Sequence, residues 1–152
     1  MNQKRSWSPR LISPKRVNAK SNKPAKKPRL VFNLHHQTVA VVIGKGMREQ
    51  AITKLIHDHH GQAKIVDAFY RQSDLVQHFR NELSGADIVV MVQNYMKHIT
   101  SKTITSIVSA ENKKFAISNG GGLQSIEQAI YRADAGIKAY ENSASSVDYP
   151  TK

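Results

Sequence analysis

Four short runs of β-branched and other apolar residues alternate with stretches in which apolar residues recur every three or four positions. Thr38 to Ile43 (TVAVVI) is apolar almost throughout and stops at Gly44-Lys45-Gly46, the pattern of a strand buried on both faces and ended by a turn. From Met47 to His60, the spacing of Met47, Ala51, Ile52, Leu55 and Ile56 predicts a helix, with Gly61 as its stop. A second unit follows: Lys64 to Phe69 as a strand, Ser73 as an N-cap, and a helix burying Leu75, Val76, Phe79 and Leu83 before Ser84-Gly85. In the third, Asp87 leads into Ile88 to Val92, and a helix from about Ser101 buries Ile104, Ile107 and Val108. The fourth is a strand from Lys114 to Ser118, then Asn119-Gly120-Gly121-Gly122 and a helix through Leu123, Ile126, Ile130, Ala133, Ile137 and Tyr140.

Strands that alternate with helices run parallel and connect by right-handed crossovers, because a twisted strand feeding a helix packs back on its sheet only in that hand. The expected fold is therefore α/β: a four-stranded parallel sheet in a doubly wound, three-layer arrangement, flavodoxin-like or half-Rossmann, with order 2-1-3-4. That order puts a topological switch between the first and third strands, and ligands in such sheets bind over the carboxyl ends there. The loops concerned are Gly44 to Met47 and Gln93 to His98.

Charge divides the 152 residues unevenly. Residues 1–37 hold ten cations (Lys4, Arg5, Arg10, Lys15, Arg16, Lys20, Lys23, Lys26, Lys27, Arg29) and no acid, so they carry +10 of the formal +12. The rest is close to balanced, with 13 basic and 11 acidic side chains. Four of the five prolines also fall in this segment, where they remove backbone donors. A segment so polar cannot offset its ordering entropy, so residues 1–37 are expected to be a flexible basic tail, 38–141 the α/β domain, and 142–152 a flexible end. Val31 to Leu34 reads equally as a docked edge strand or as linker. The chain has no cysteine, which fits a reducing cytoplasm. It has no apolar run of membrane-spanning length and no h-region behind its basic start. An acid-free N-terminus shares the composition of a mitochondrial transit peptide, but its lysines, its prolines and the lack of an amphipathic stripe speak against one.

Several groups could carry chemistry. Gly44, Lys45 and Gly46 form a strand-to-helix turn whose N–H groups could meet an anion. Without a third glycine or a Lys-Ser/Thr pair, a ligand-free turn is the competing account. Ser118, Asn119, Gly120, Gly121 and Gly122 at a helix start read either as an anion-binding nest or as a flexible connection with a cap. Asn94 and His98 lie beside the predicted crevice, where the imidazole is a proton carrier, a ligand or a structural hydrogen-bond partner. His57-Asp58-His59-His60 and His35-His36 have a metal-like look, yet no third ligand is in view and histidine suits a helix C-terminus for electrostatic reasons. No nucleophile elbow, cysteine or spaced carboxylate pair points to catalysis, and the sequence leaves the identity of any cofactor unknown. In the tail, the ten cations surround Trp7, the chain's only tryptophan. Such a segment can neutralise phosphates while the indole stacks on an unpaired base. An acidic protein or membrane surface, or no partner at all, are the alternatives.

The stretches VAVVIGKG, ADIVVMVQNYMKH and KFAISNGGGLQSIEQAI resemble the bacterial domain-of-unknown-function family 2325 over about Val39 to Tyr131. The resemblance maps the family's glycine turn onto Gly44 and Gly46, its acidic residue before a strand onto Asp87, its downstream histidine onto His98, and its Ser-Gly segment onto Ser118 and Gly120 to Gly122. It implies a bacterial, cytoplasmic α/β domain with a functional role for His98, and brings no reaction or ligand with it. The leading reading is a non-enzymatic binding or regulatory protein, with nucleic acid, DNA or RNA, as the tail's partner and a ligand or protein contact on the domain. A sensor of small anionic ligands or nucleotides using the glycine loops, and a homo-oligomer or adaptor with a protein partner, are the other two.

Overall fold

The computed structural model describes residues 30–44, 46–70, 72–137, 139 and 147–151. Strands β1 (Thr38–Ile43), β2 (Gln62–Asp67), β3 (Ile88–Val92) and β4 (Lys114–Ser118) form one sheet. All pairings are parallel and the order is β2-β1-β3-β4, as the sequence predicts. Between and after them run helices α1 (Glu49–Asp58), α2 (Leu75–Leu83), α3 (His98–Ala110) and α4 (Leu123–Ala135).

Side chains alternate between the two faces of each strand, and both faces are covered. Val39, Val41, Ile43, Ile88, Val90 and Val92 meet Ile52, Leu55 and Ile56 of α1 and Ile126, Ala129 and Ile130 of α4. Opposite them, Ala40, Val42, Val89 and Met91 meet Phe79 and Leu83 of α2 and Ile104, Ile107 and Val108 of α3. This explains why β1 and β3 are apolar at successive positions: a strand between two helical layers has no solvent face. Each fully buried Val, Ile or Leu contributes about 1.5–3 kcal/mol, so these two strands anchor the fold.

The ends of elements depart from the sequence reading in physically simple ways. Strand β2 covers Gln62–Asp67 rather than 64–69, because backbone pairing with Thr38 and Val39 recruits Gln62 and Ala63 despite their weak strand preference. Helix α1 starts at Glu49, after Arg48 in the left-handed region (φ 55°), and not at Met47. Its stop is His60, whose φ of 63° lets the Gly61 N–H reach the Ile56 carbonyl and the His60 N–H reach His57. Gly61 is needed for another reason, since a Cβ there would lie 2.6 Å from Leu34 Cδ1. The N-cap of α2 is Asp74 instead of Ser73, and Val76 is half exposed rather than on the buried stripe. Helix α3 begins at His98, three residues before the expected start, with Thr100 buried in its first turn. Helix α4 closes at Gly136 (φ 71°), which leaves Ile137 exposed; Tyr140 lies outside the described residues.

Residues 30–37, grouped with the tail by charge, pack on the domain. Leu34 is fully buried, its N–H donates to the His59 carbonyl (2.7 Å), and the His36 N–H donates to His60 (2.7 Å). The segment is thus docked chain rather than a strand of the sheet. Leu30 makes an isolated antiparallel bridge with Thr151, and the Val31 N–H donates to the Pro150 carbonyl (2.8 Å), so residues 147–151 also return to this side. Among the described residues no helix is long and apolar enough to cross a membrane.

Candidate functional site

Helix α1 leaves β1 for one layer and α3 leaves β3 for the other, so the connections diverge over the carboxyl ends of two adjacent strands. Gly44 is buried at this divergence. A Cβ on it would stand 2.6 Å from Phe69 Cε2 and 2.8 Å from Met47 Sδ, so the protein's own side chains fill the space that its missing side chain creates. Gly46 has a φ of 85°, the left-handed conformation that glycine adopts at no steric cost. Its N–H donates to the carboxylate of Glu49 in the first turn of α1. An outside anion would have to displace that carboxylate. Lys45 lies outside the described residues.

On the other side of the divergence, Asn94 is exposed in a single 3-10 turn over Gln93–Tyr95. Its Nδ2 is 3.8 Å from where a Cβ on Gly120 would stand, which places the β4–α4 loop against the β3–α3 loop. Ser118 is buried and its hydroxyl donates to the Gly120 carbonyl (2.6 Å), folding the loop back on itself. Gly122 is the N-cap of α4 in an extended conformation (φ −70°, ψ 147°), with no side chain over the helix start. Asn119 is exposed and Gly121 half-buried. His98 opens α3 with its ring exposed, and the ring makes no hydrogen bond among the described residues. Topology therefore gathers Gly44, Gly46, Asn94, His98, Ser118, Asn119 and Gly120 to Gly122 at one end of the sheet, with the exposed groups being amides, an imidazole and bare backbone.

The histidine-rich segment does something else. His59 is buried; its Nε2 lies 2.7 Å from Glu127 Oε2 of α4 and its Nδ1 3.1 Å from the Phe32 carbonyl. Both ring nitrogens thus face oxygens. The Phe32 ring stacks on the imidazole at 3.8 Å and 8°. Nearby, buried Arg132 donates to the Ile117 carbonyl (2.6 Å) and to the Tyr149 hydroxyl (2.9 Å). These contacts join α1, α4 and both terminal segments. His57 and His60 are exposed, and among the described residues no three His, Cys, Asp or Glu side chains converge. His35 and His36, with φ of 51° and 66°, occupy the centre of a turn closed by the Gln37 N–H on the Leu34 carbonyl (3.0 Å).

Sequence reasoning missed this network, yet it left a trace. Glu127 falls four residues after Leu123 and one after Ile126, on the stripe that α4 buries, and a carboxylate at such a position requires a partner. Asp87 is also structural: its carboxylate accepts the Thr38 N–H (2.9 Å) at the amino end of the strands, far from the crevice. Phe69, which the sequence places at the end of a strand, lies past β2 and is exposed beside Gly44. The tail cations from Lys4 to Arg29, with Trp7, lie outside the described residues.

No curated protein and no solved structure matches the chain. One family does, over residues 38–133, from the first residue of β1 to the buried Ala133 of α4. The match includes every loop of the crevice, covers more than half the chain, and stops short of the tail. The protein belongs to the bacterial family described as "Uncharacterized protein conserved in bacteria (DUF2325)".

Proposed function

We propose that this is a non-enzymatic binding protein of the bacterial cytoplasm whose basic tail contacts nucleic acid, while the carboxyl end of the α/β sheet supplies a second contact. The carrying observation is the segregation of ten cations, no anions and one tryptophan in the first 29 residues, ahead of a domain that is nearly neutral. Clustered Lys and Arg release counterions from phosphates, a gain that needs no prior fold in the arm. A tryptophan among them adds stacking on an unpaired base. The domain contributes loops at the carboxyl end of its sheet that present Asn94, His98 and Gly122 to solvent.

The test compares the full chain with a variant in which the ten tail cations are glutamine, so that the docked segment from Leu30 onward is untouched. Fluorescence anisotropy with a labelled single strand, and with its duplex, should show the parent binding both and the variant losing at least about tenfold. Equal affinity of parent and variant would remove the tail from the function.

A further inference from the structure

Helices α2 and α3 cover one face of the sheet, and a groove of about 300 Å³ opens between their outward sides. Val76 and Arg80, one turn apart on α2, line one side of it; Lys102, Ile107 and Ala110 of α3 line the other. Ile107 is buried and Val76 is 49% exposed, so the groove has an aliphatic strip that is open to water. Ile99, 61% exposed, extends this strip one turn toward the start of α3, where its carbonyl accepts the hydroxyl of Thr103, another lining residue (2.8 Å).

The charge within the groove is positive. Arg80 and Lys102 line it, and among the described residues no carboxylate does. Lys102 makes no ion pair or side-chain hydrogen bond among the described residues. Helix α3 has no Asp or Glu along its whole length. Glu111, the residue after it, lies 3.7 Å from Arg80 Nε and 3.6 Å from Lys113 Nζ. One anion is thus shared by two cations, and Lys102 is left over. Glu82 keeps its charge on the far side of α2, about 200° round the helix from Arg80, and Asp74 keeps its own beside the Tyr70 hydroxyl.

These features discriminate between occupants. In a two-fold contact through the groove, a second copy would set Arg80 and Lys102 against their own duplicates. A nucleic acid would meet charge but no aromatic ring to stack on, since the other lining residues are aliphatic or carry hydroxyls. An acidic amphipathic helix suits both properties: apolar side chains at i, i+4 and i+7 fill a groove while carboxylates on its flanks reach the cations. We infer that the α2–α3 groove docks an acidic amphipathic helix of a partner protein, with aliphatic side chains on Val76 and Ile107 and carboxylates against Arg80 and Lys102. The site is independent of the nucleic-acid reading above. The chain arriving from the tail joins the domain at Leu34 and His59, in the opposite layer.

The test titrates the isotope-labelled full chain with a designed peptide of about 18 residues, long enough to hold helical structure, with leucines at i, i+4 and i+7 and glutamates on both flanks. Saturable amide shifts should concentrate on Val76, Arg80 and residues 102–110, and should persist when the ten tail cations are glutamine. No binding, or shifts confined to residues ahead of Leu30, overturns the groove. Lys102→Glu should weaken binding about fivefold, and a peptide with lysines for glutamates should prefer that variant to the parent. Val76→Thr keeps the side chain's shape but not its apolar surface, and should also cost about fivefold. Thermal midpoints equal to the parent's exclude misfolding, and the surface variant Lys102→Glu decides the matter should Val76→Thr unfold. Parent-like affinity in the folded variants overturns the proposal. A single strand of about 12 nucleotides that moves the groove amides as far as the peptide does overturns it in favour of nucleic acid. Groove shifts that follow protein concentration without peptide overturn it in favour of a second copy.

Discussion

His59 and Glu127 show how one side-chain pair can decide where a terminus goes. Their 2.7 Å contact is buried, and the other imidazole nitrogen holds the Phe32 carbonyl, so the chain arriving from the tail is fixed by the same ring that ties α1 to α4. Removing the carboxylate strands a buried ring nitrogen. Glu127→Ala should therefore cost about 3 kcal/mol in chemical unfolding, with Glu127→Gln costing less, since an amide still offers hydrogen-bonding atoms. Equal, near-zero effects of the two would show that the pair holds nothing. His35 and His36 present the opposite case, residues in a backbone that does not suit them. Both have positive φ, which side-chain-bearing residues adopt at a cost and Asn-Gly adopts readily. Replacing them by Asn and Gly should stabilise the protein by about 1 kcal/mol in the same assay; a loss would mean that the histidine side chains have a partner worth more than the strain.

At the scale of elements, the start of α2 is fastened by Tyr70. Its hydroxyl donates to Asp74, the N-cap residue, and its ring stacks on His78 at 3.4 Å and 5°. The hydrogen bond to Asp74, then desolvation, then repulsion by the same carboxylate push the phenol above its ordinary value of 10.0. A raised value in the folded state means that the contribution is fully present below the unfolded value and is lost as pH climbs through the folded one. Tyrosinate absorbance of the parent minus Tyr70→Phe should thus isolate one of the five tyrosines titrating above pH 10; a difference curve centred at or below 10 would contradict the contact. Elements differ in how readable they are. Strands β1, β3 and β4 stand at their expected residues, because short apolar runs bounded by Gly, Asp or Lys leave little choice. Strand β2 slid by two residues, since its register is set by a partner strand and not by Gln62 or Ala63 themselves. The crevice loops followed from strand order alone. The His59–Glu127 contact did not, because residues 68 positions apart are seen to pair only once α1 and α4 lie side by side.

For the whole molecule, the division is between a balanced, doubly covered sheet and an arm that concentrates nearly all of the net charge. The family match runs from β1 to α4, so the matched unit is the α/β domain, and the arm lies ahead of it in the chain. Leu30 and Leu34 are buried and pin residues 30–37 to the domain. The most direct test of the account is the dependence of single-strand affinity on salt concentration. With about five tail cations on phosphates, the full chain should give a log-log slope of about −3.5 for a single strand, and neutralising the ten cations should leave the affinity nearly independent of salt. A full chain whose affinity does not change with salt, or whose slope survives neutralisation of the tail, would contradict it.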